Sequence, residues 1–185
     1  AGVAFLGSGF FDGDPKEDLI LTDSLGVGFT VSAGGVLGSG SASPLWEATL
    51  ANQPAPGTPI LADLGGDDGM DVLVPRSLCD VSSAPASCAT GFVHVFPRDG
   101  QGEALPTVQY ELGKHPYLIR AADLTADGRP EIISANAVSG DLVVRLSSDA
   151  GTYDHAIPVP TPATRTRIGL DLGDVNEDGQ PDFFI

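Results

Sequence analysis

Apolar positions in this chain come in short blocks, and each block is entered from a polar, acid-rich loop. The blocks Leu19–Leu21, Val72–Val74, Ile132–Ile133 and Phe183–Ile185 are continuous rather than alternating. Runs of this kind suit strands covered on both faces. No long stretch shows the 3.6-residue apolar period of a helix. Short lead-in segments stand before the loops: Val3–Leu6, Ile60–Ala62, Tyr117–Ile119 and Ile168–Leu170. Behind the blocks lie further strand-like segments. These are Leu25–Val31 and Leu45–Leu50, Gly91–Phe96 and Thr107–Leu112, then Asp141–Leu146 and Tyr153–Val159. Gly- and Pro-rich breakers separate them, such as Gln53–Pro59, Arg98–Gly102 and Ser147–Gly151.

The pattern is periodic. Asp14, Asp67, Asp127 and Asp178 hold the same place in successive loops, at intervals of 53, 60 and 51 residues. Each period reads as four strands, with the acidic loop between the first and second. Four-stranded units arrayed in series predict an all-β, β-propeller-type array of antiparallel blades. The 185 residues divide into approximate repeats 1–56, 57–113 and 114–164, with a partial one at 165–185, about three and a half in all. Extra length in the second period falls around Cys79 and Cys88. The chain opens at once in Val3–Leu6 and ends within Phe183–Ile185, so it reads as a mature or partial piece of something longer. An unfinished ring would leave open strand edges, to be completed by more chain or by neighbouring copies in an oligomer or filament.

The loops carry the chemistry. The fourth, 174–182, reads D-x-N-x-D-G-x-x-D. Asp174, Asn176, Asp178 and Asp182 offer side-chain oxygens, and Gln180 offers a backbone carbonyl. Calcium takes six to eight such oxygens, and a Gly at the sixth position permits the sharp turn. The third loop has Asp123, Thr125, Asp127, Glu131 and the Arg129 carbonyl. The second has Asp63, Asp67, Asp71 and the Gly69 carbonyl, with Asp68 in the turn slot. The first keeps Asp12, Asp14, Asp18 and the Lys16 carbonyl, but has Phe10 at position 1 and Pro15 at position 6. It is the most degraded. A final Asp at position 9 followed by a strand excludes the helix-loop-helix calcium hand, whose last ligand is a Glu at position 12. Asp and Gly also favour ordinary Asx turns. Four loops in register, each leading into a strand, favour three to four calcium ions instead.

Charge sharpens this picture. The net charge is −16, and 15 of the 25 acidic residues lie inside the four loop windows. Carboxylates so clustered repel one another unless a cation sits among them. With nine Lys and Arg residues, a nucleic-acid partner is not expected. No apolar run is long enough for a membrane-spanning helix. Cys79 and Cys88, in a polar loop, suit a local disulfide and an oxidising, extracellular setting. His94, His115 and His155 are scattered, and no catalytic spacing links them, so no enzymatic activity is expected. Trp46, Tyr110 and Tyr153 fall late in successive periods, where they pack between blades or stack on sugars. The Pro/Thr-rich stretch 158–166 reads as a linker.

The stretches Ala62–Asp71, Ala122–Glu131 and Gly173–Asp182, with the strand-turn-strand Gly140–Tyr153, resemble the FG-GAP/VCBS-type repeats of integrin-like β-propellers. That resemblance implies structural calcium in the loop between a blade's first two strands and a secreted or cell-surface location. The expected role is adhesion, binding of a glycan or extracellular protein, or scaffolding. A structural subunit completed by its neighbours and an accessory domain of a secreted enzyme are the alternatives.

Overall fold

The computed structural model describes residues 3–9, 18–23, 28–32, 44–49, 57–77, 79–80, 87–100, 103–161 and 169–184; for residues 3–49, 79, 80 and 87 only backbone pairing enters. Every regular element among them is a strand. Strands β1 (Val3–Gly9), β2 (Asp18–Asp23), β3 (Gly28–Ser32) and β4 (Pro44–Thr49) form one sheet in chain order. The second sheet has β5 (Ile60–Ala62), β6 (Asp71–Arg76), β9 (Thr90–Phe96) and β10 (Val108–Lys114). A small hairpin, β7 (Cys79–Asp80) and β8 (Ser87–Cys88), is inserted between β6 and β9. The third holds β11 (Pro116–Ala122), β12 (Glu131–Asn136), β13 (Asp141–Leu146) and β14 (His155–Pro160). Two strands, β15 (Asp171–Gly173) and β16 (Asp182–Phe184), complete the described chain.

All pairings are antiparallel between neighbours, as short turns require. These are propeller-like blades, and the acidic loop lies between the first and second strand of each. The lead-in expected at Ile168–Leu170 forms later, at Asp171–Gly173, because the ladder is fixed by Asp171↔Phe184, Leu172↔Phe183 and Gly173↔Asp182. Leu170 is buried just ahead of it, and Ile168 lies outside the described residues.

The continuous apolar blocks have a direct structural cause. β6 and β12 are buried at every residue. In β12, Ile132 joins Leu73, Val93, Val95, Leu112, Ile119 and Tyr153 in the core between the second and third sheets. Its neighbour Ile133 points the other way, into a core with Ala135, Leu142, Val144 and Leu170. A strand alternates its faces, so a strand with a core on each side must be apolar at successive positions. Burying one Ile fully contributes about 1.5–3 kcal/mol. Among the described residues, four buried side chains can carry charge: Asp71, Glu131, Arg76 and Arg145. Arg145 donates to the carbonyls of Glu111, Tyr153 and Asp154. Arg76, at the end of β6, is 1% exposed, and no hydrogen-bond partner for its guanidinium stands among the described residues.

Candidate functional site

The three described loops, 63–71, 123–131 and 174–182, fold to one backbone template. Position 4 has positive φ in each: Gly66 at 68°, Ala126 at 59° and Glu177 at 61°. Position 6 does as well: Asp68 at 67°, Gly128 at 84° and Gly179 at 85°. Two left-handed residues separated by one bend the chain back over its own first residue. L-residues other than Gly adopt this region at a cost of about 1 kcal/mol or more, so Asp68, Ala126 and Glu177 are held there by their surroundings.

The side chains that hold them are the sequence-chosen acids. The position-1 carboxylates accept from the backbone N–H groups that the turn gathers. Asp63 takes those of Gly66, Asp67 and Asp68 at 2.7, 3.2 and 2.9 Å. Asp123 takes those of Asp127 and Gly128 at 3.1 and 2.8 Å, and Asp174 those of Asp178 and Gly179 at 3.1 and 2.8 Å. The position-5 carboxylates of Asp67, Asp127 and Asp178 each accept from the N–H of position 7. The position-9 carboxylates of Asp71, Glu131 and Asp182 accept from position 2, at Leu64, Leu124 and Val175. Asn176 adds an acceptor for Asp178 N–H at 2.9 Å. The longer Glu131 therefore does the same work as Asp71 and Asp182.

The acids also reach a second loop, which the sequence did not disclose. Asp71 accepts from Arg98 N–H at 2.7 Å, and Asp67 from Gly100 N–H at 3.0 Å. Glu131 accepts from the Ser147 hydroxyl at 2.8 Å. In both sheets the contact is with the turn between the third and fourth strands. At Gly69 and Gly100 the approach is close enough that a Cβ would stand 2.6 Å from the Asp99 oxygen and 2.4 Å from the Asp67 oxygen, respectively. The recurrence of turn residues at 98–102 and 147–151 was the available signal. Acidic loop and distal turn thus form one tied unit.

Electrostatics follow burial. Asp71 is 2% exposed, and its carboxyl is raised to about 6, chiefly by burial. The N–H groups of Arg98 and Leu64 oppose that rise, and the Asp63 and Asp67 charges add to it. For Asp123 desolvation acts upward, but the N–H groups of Gly128, Asp127, Ala126 and Thr125 hold the carboxyl below its ordinary value.

Each described loop gathers only oxygen donors, which suits a hard cation over a soft one. Positions 1, 5 and 9 carry a carboxylate in each of the second, third and fourth loops, with the carbonyls of Gly69, Arg129 and Gln180 at position 7. In the present arrangement the carboxylates are spent on N–H groups. Among the described residues no three His, Cys, Asp or Glu side chains converge closely enough to hold a metal. Gly65 supplies no side-chain oxygen at position 3 of the second loop. Of the first loop, Asp12, Asp14 and Lys16 lie outside the described residues, and Asp18 opens β2.

Other sequence candidates fall elsewhere. β7 and β8 place Cys79 opposite Cys88. His94 lies within β9, and His155 opens β14 on the exposed side. Tyr110 and Tyr153 meet edge to face, with ring centres 5.5 Å apart, in the packing between the second and third sheets. The Trp46 side chain lies outside the described residues. No described helix is long and apolar enough to cross a membrane.

Residues 123–185 match the family described as FG-GAP-like repeat. No curated protein and no solved structure matched the chain. The matched span begins on the first residue of the third loop and includes the fourth.

Proposed function

We propose that the chain, whose residues 123–185 match the FG-GAP-like repeat, is a calcium-stabilised extracellular binding or scaffold module. The observation that carries this reading is the shared loop template. Three loops of different sequence place left-handed residues at positions 4 and 6 and bring the acids of positions 1, 5 and 9 onto the same loop N–H groups. An Asx turn alone needs neither the ninth-position acid nor its return to position 2.

Asp174, Asn176, Asp178, Asp182 and the Gln180 carbonyl would hold one ion. Asp123, Thr125, Asp127, Glu131 and the Arg129 carbonyl would hold a second. Asp63, Asp67, Asp71 and the Gly69 carbonyl would hold a third, completed by water where Gly65 gives nothing. Calcium supplies charge neutralisation and a crosslink between the ends of the loop, with no chemistry on a substrate. Because Asp67, Asp71 and Glu131 also tie down the distal turns, the crosslink would stiffen one whole end of each sheet. An oxidising location follows from the same reading. It is supported by the opposed positions of Cys79 and Cys88 and by the absence of a free cysteine among the described residues.

Calorimetric calcium titration of two variants tests the assignment. Asp178→Ala removes a central ligand from the complete fourth loop and should delete one full binding event. Asp14→Ala alters the degraded first loop and should leave the isotherm nearly intact. The reverse order would overturn the ranking of the loops.

A further inference from the structure

A cavity of about 410 Å³ opens between the second and third sheets, beside the loop 63–71. That volume is within the range of small-ligand pockets, about 300–1,000 Å³. Its wall is mainly apolar and its rim polar. Leu105, Pro106, Val108 and Tyr110 supply the wall; Asp67, Arg98 and Thr152 stand among its polar lining residues. Leu105 and Val108 are large apolar side chains left 46% and 40% exposed, in the exposed stretch 103–109.

The wall is fixed in advance. Tyr110 is held edge-on by Tyr153, and the Arg145 guanidinium lies 5.8 Å from its ring centre. Arg145 is itself anchored by carbonyls of Glu111 and Tyr153, and the Tyr153 hydroxyl donates to the Pro130 carbonyl at 2.9 Å. The turn bearing Leu105 is closed by Leu105 N–H on the Pro97 carbonyl at 2.9 Å and by the Arg98–Ala104 bridge. A site whose wall is already ordered loses little entropy on binding.

We propose that this cavity binds a neutral sugar ring. Asp67, Asp71 and Arg98 all line the cavity, so its polar side brings carboxylate acceptors together with a residue that has only N–H donors, a mixture that suits hydroxyl groups, which both donate and accept. A pyranose has an apolar C–H face and a polar edge. The face lies on Tyr110, Leu105 and Pro106 by dispersion and weak C–H contacts with the ring. Each Asp67 carboxylate oxygen accepts one N–H, from Gly69 or Gly100, and keeps a lone pair for a sugar hydroxyl, and the Thr152 hydroxyl, paired with that of Ser148, can take part in a second such bond. The proposal rests on the reading of the chain as a binding module; the 63–71 loop contributes Asp67 to the cavity, and the sugar contact uses that carboxylate whether or not the loop holds calcium.

The test uses the full chain, isotopically labelled, and the free monosaccharides glucose, galactose, mannose, fucose, xylose and N-acetylglucosamine as probes. At least one should shift the backbone resonances of the 97–108 and 151–153 segments in a saturable way. Leu105→Glu places a charge on the exposed wall without touching the core and should weaken that sugar by about tenfold or more. Val138→Glu, on the distant β12–β13 turn, should leave it unchanged. The proposal is overturned if no sugar in the panel shifts these segments, if shifts occur only elsewhere, or if both variants weaken binding alike. Melting curves with and without chelator on the same sample report separately on the calcium reading.

Discussion

At the scale of single residues, the interior shows where charge has been accepted. His94 lies in β9 with its ordinary pKa lowered, first by burial and second by the Arg76 charge. The sign of the consequence is fixed. A histidine whose folded pKa is depressed stabilises the fold fully above its unfolded value, near 6.5, and loses that contribution as pH falls below it. His94→Gln should therefore reduce the loss of stability between about pH 7.5 and 5.5. Urea midpoints of the two proteins across that range measure it, and parallel pH profiles would remove His94 from the account. Some residue roles were open to reading and others were not. The acids of positions 1, 5 and 9 stood out because an oxygen ligand has few substitutes. The left-handed backbone at Ala126 and Glu177 did not, because neither residue type favours it. Only the closed hydrogen-bond ring around Asp123 and Asp174 imposes it.

At the scale of the element, the loop is a small machine of fixed backbone geometry, and its strain is testable. Ala126 sits at φ 59° and Gly128 at φ 84° in the same loop. Ala126→Gly should relieve the first and raise stability by a few tenths to about 1 kcal/mol, whereas Gly128→Ala should lower it by about 1 kcal/mol. Space does not confound the second change, since nothing lies within 4 Å of the position a Cβ would take. Chemical denaturation measures both. Equal effects of the same sign would refute the template. The strands themselves were legible for a different reason. Ile132 and Ile133 serve opposite cores, so their adjacency in sequence carried the sheet-between-sheets arrangement directly. The tie from Asp71 to Arg98 and from Glu131 to Ser147 was not legible. It depends on which two turns share an end of the sheet, which is a property of the assembled blade.

At the scale of the whole molecule, repetition made the fold readable. One loop of Asp and Gly is a turn; loops at intervals of 53, 60 and 51 residues are an architecture. The same repetition concentrates negative charge. Of the net −16, most is placed where the loops lie, and folding must bring those carboxylates together. If calcium binds the folded loops and not the unfolded chain, each site occupied at 100 times its Kd adds about 2.7 kcal/mol. Three such sites would move the melting temperature of a chain of this length by about 10 °C or more. The decisive measurement is thermal unfolding of the full chain at constant ionic strength, in saturating calcium and in excess chelator. The midpoint should be higher in calcium by about 10 °C or more, with magnesium giving much less. Coincident curves in calcium and chelator would contradict it.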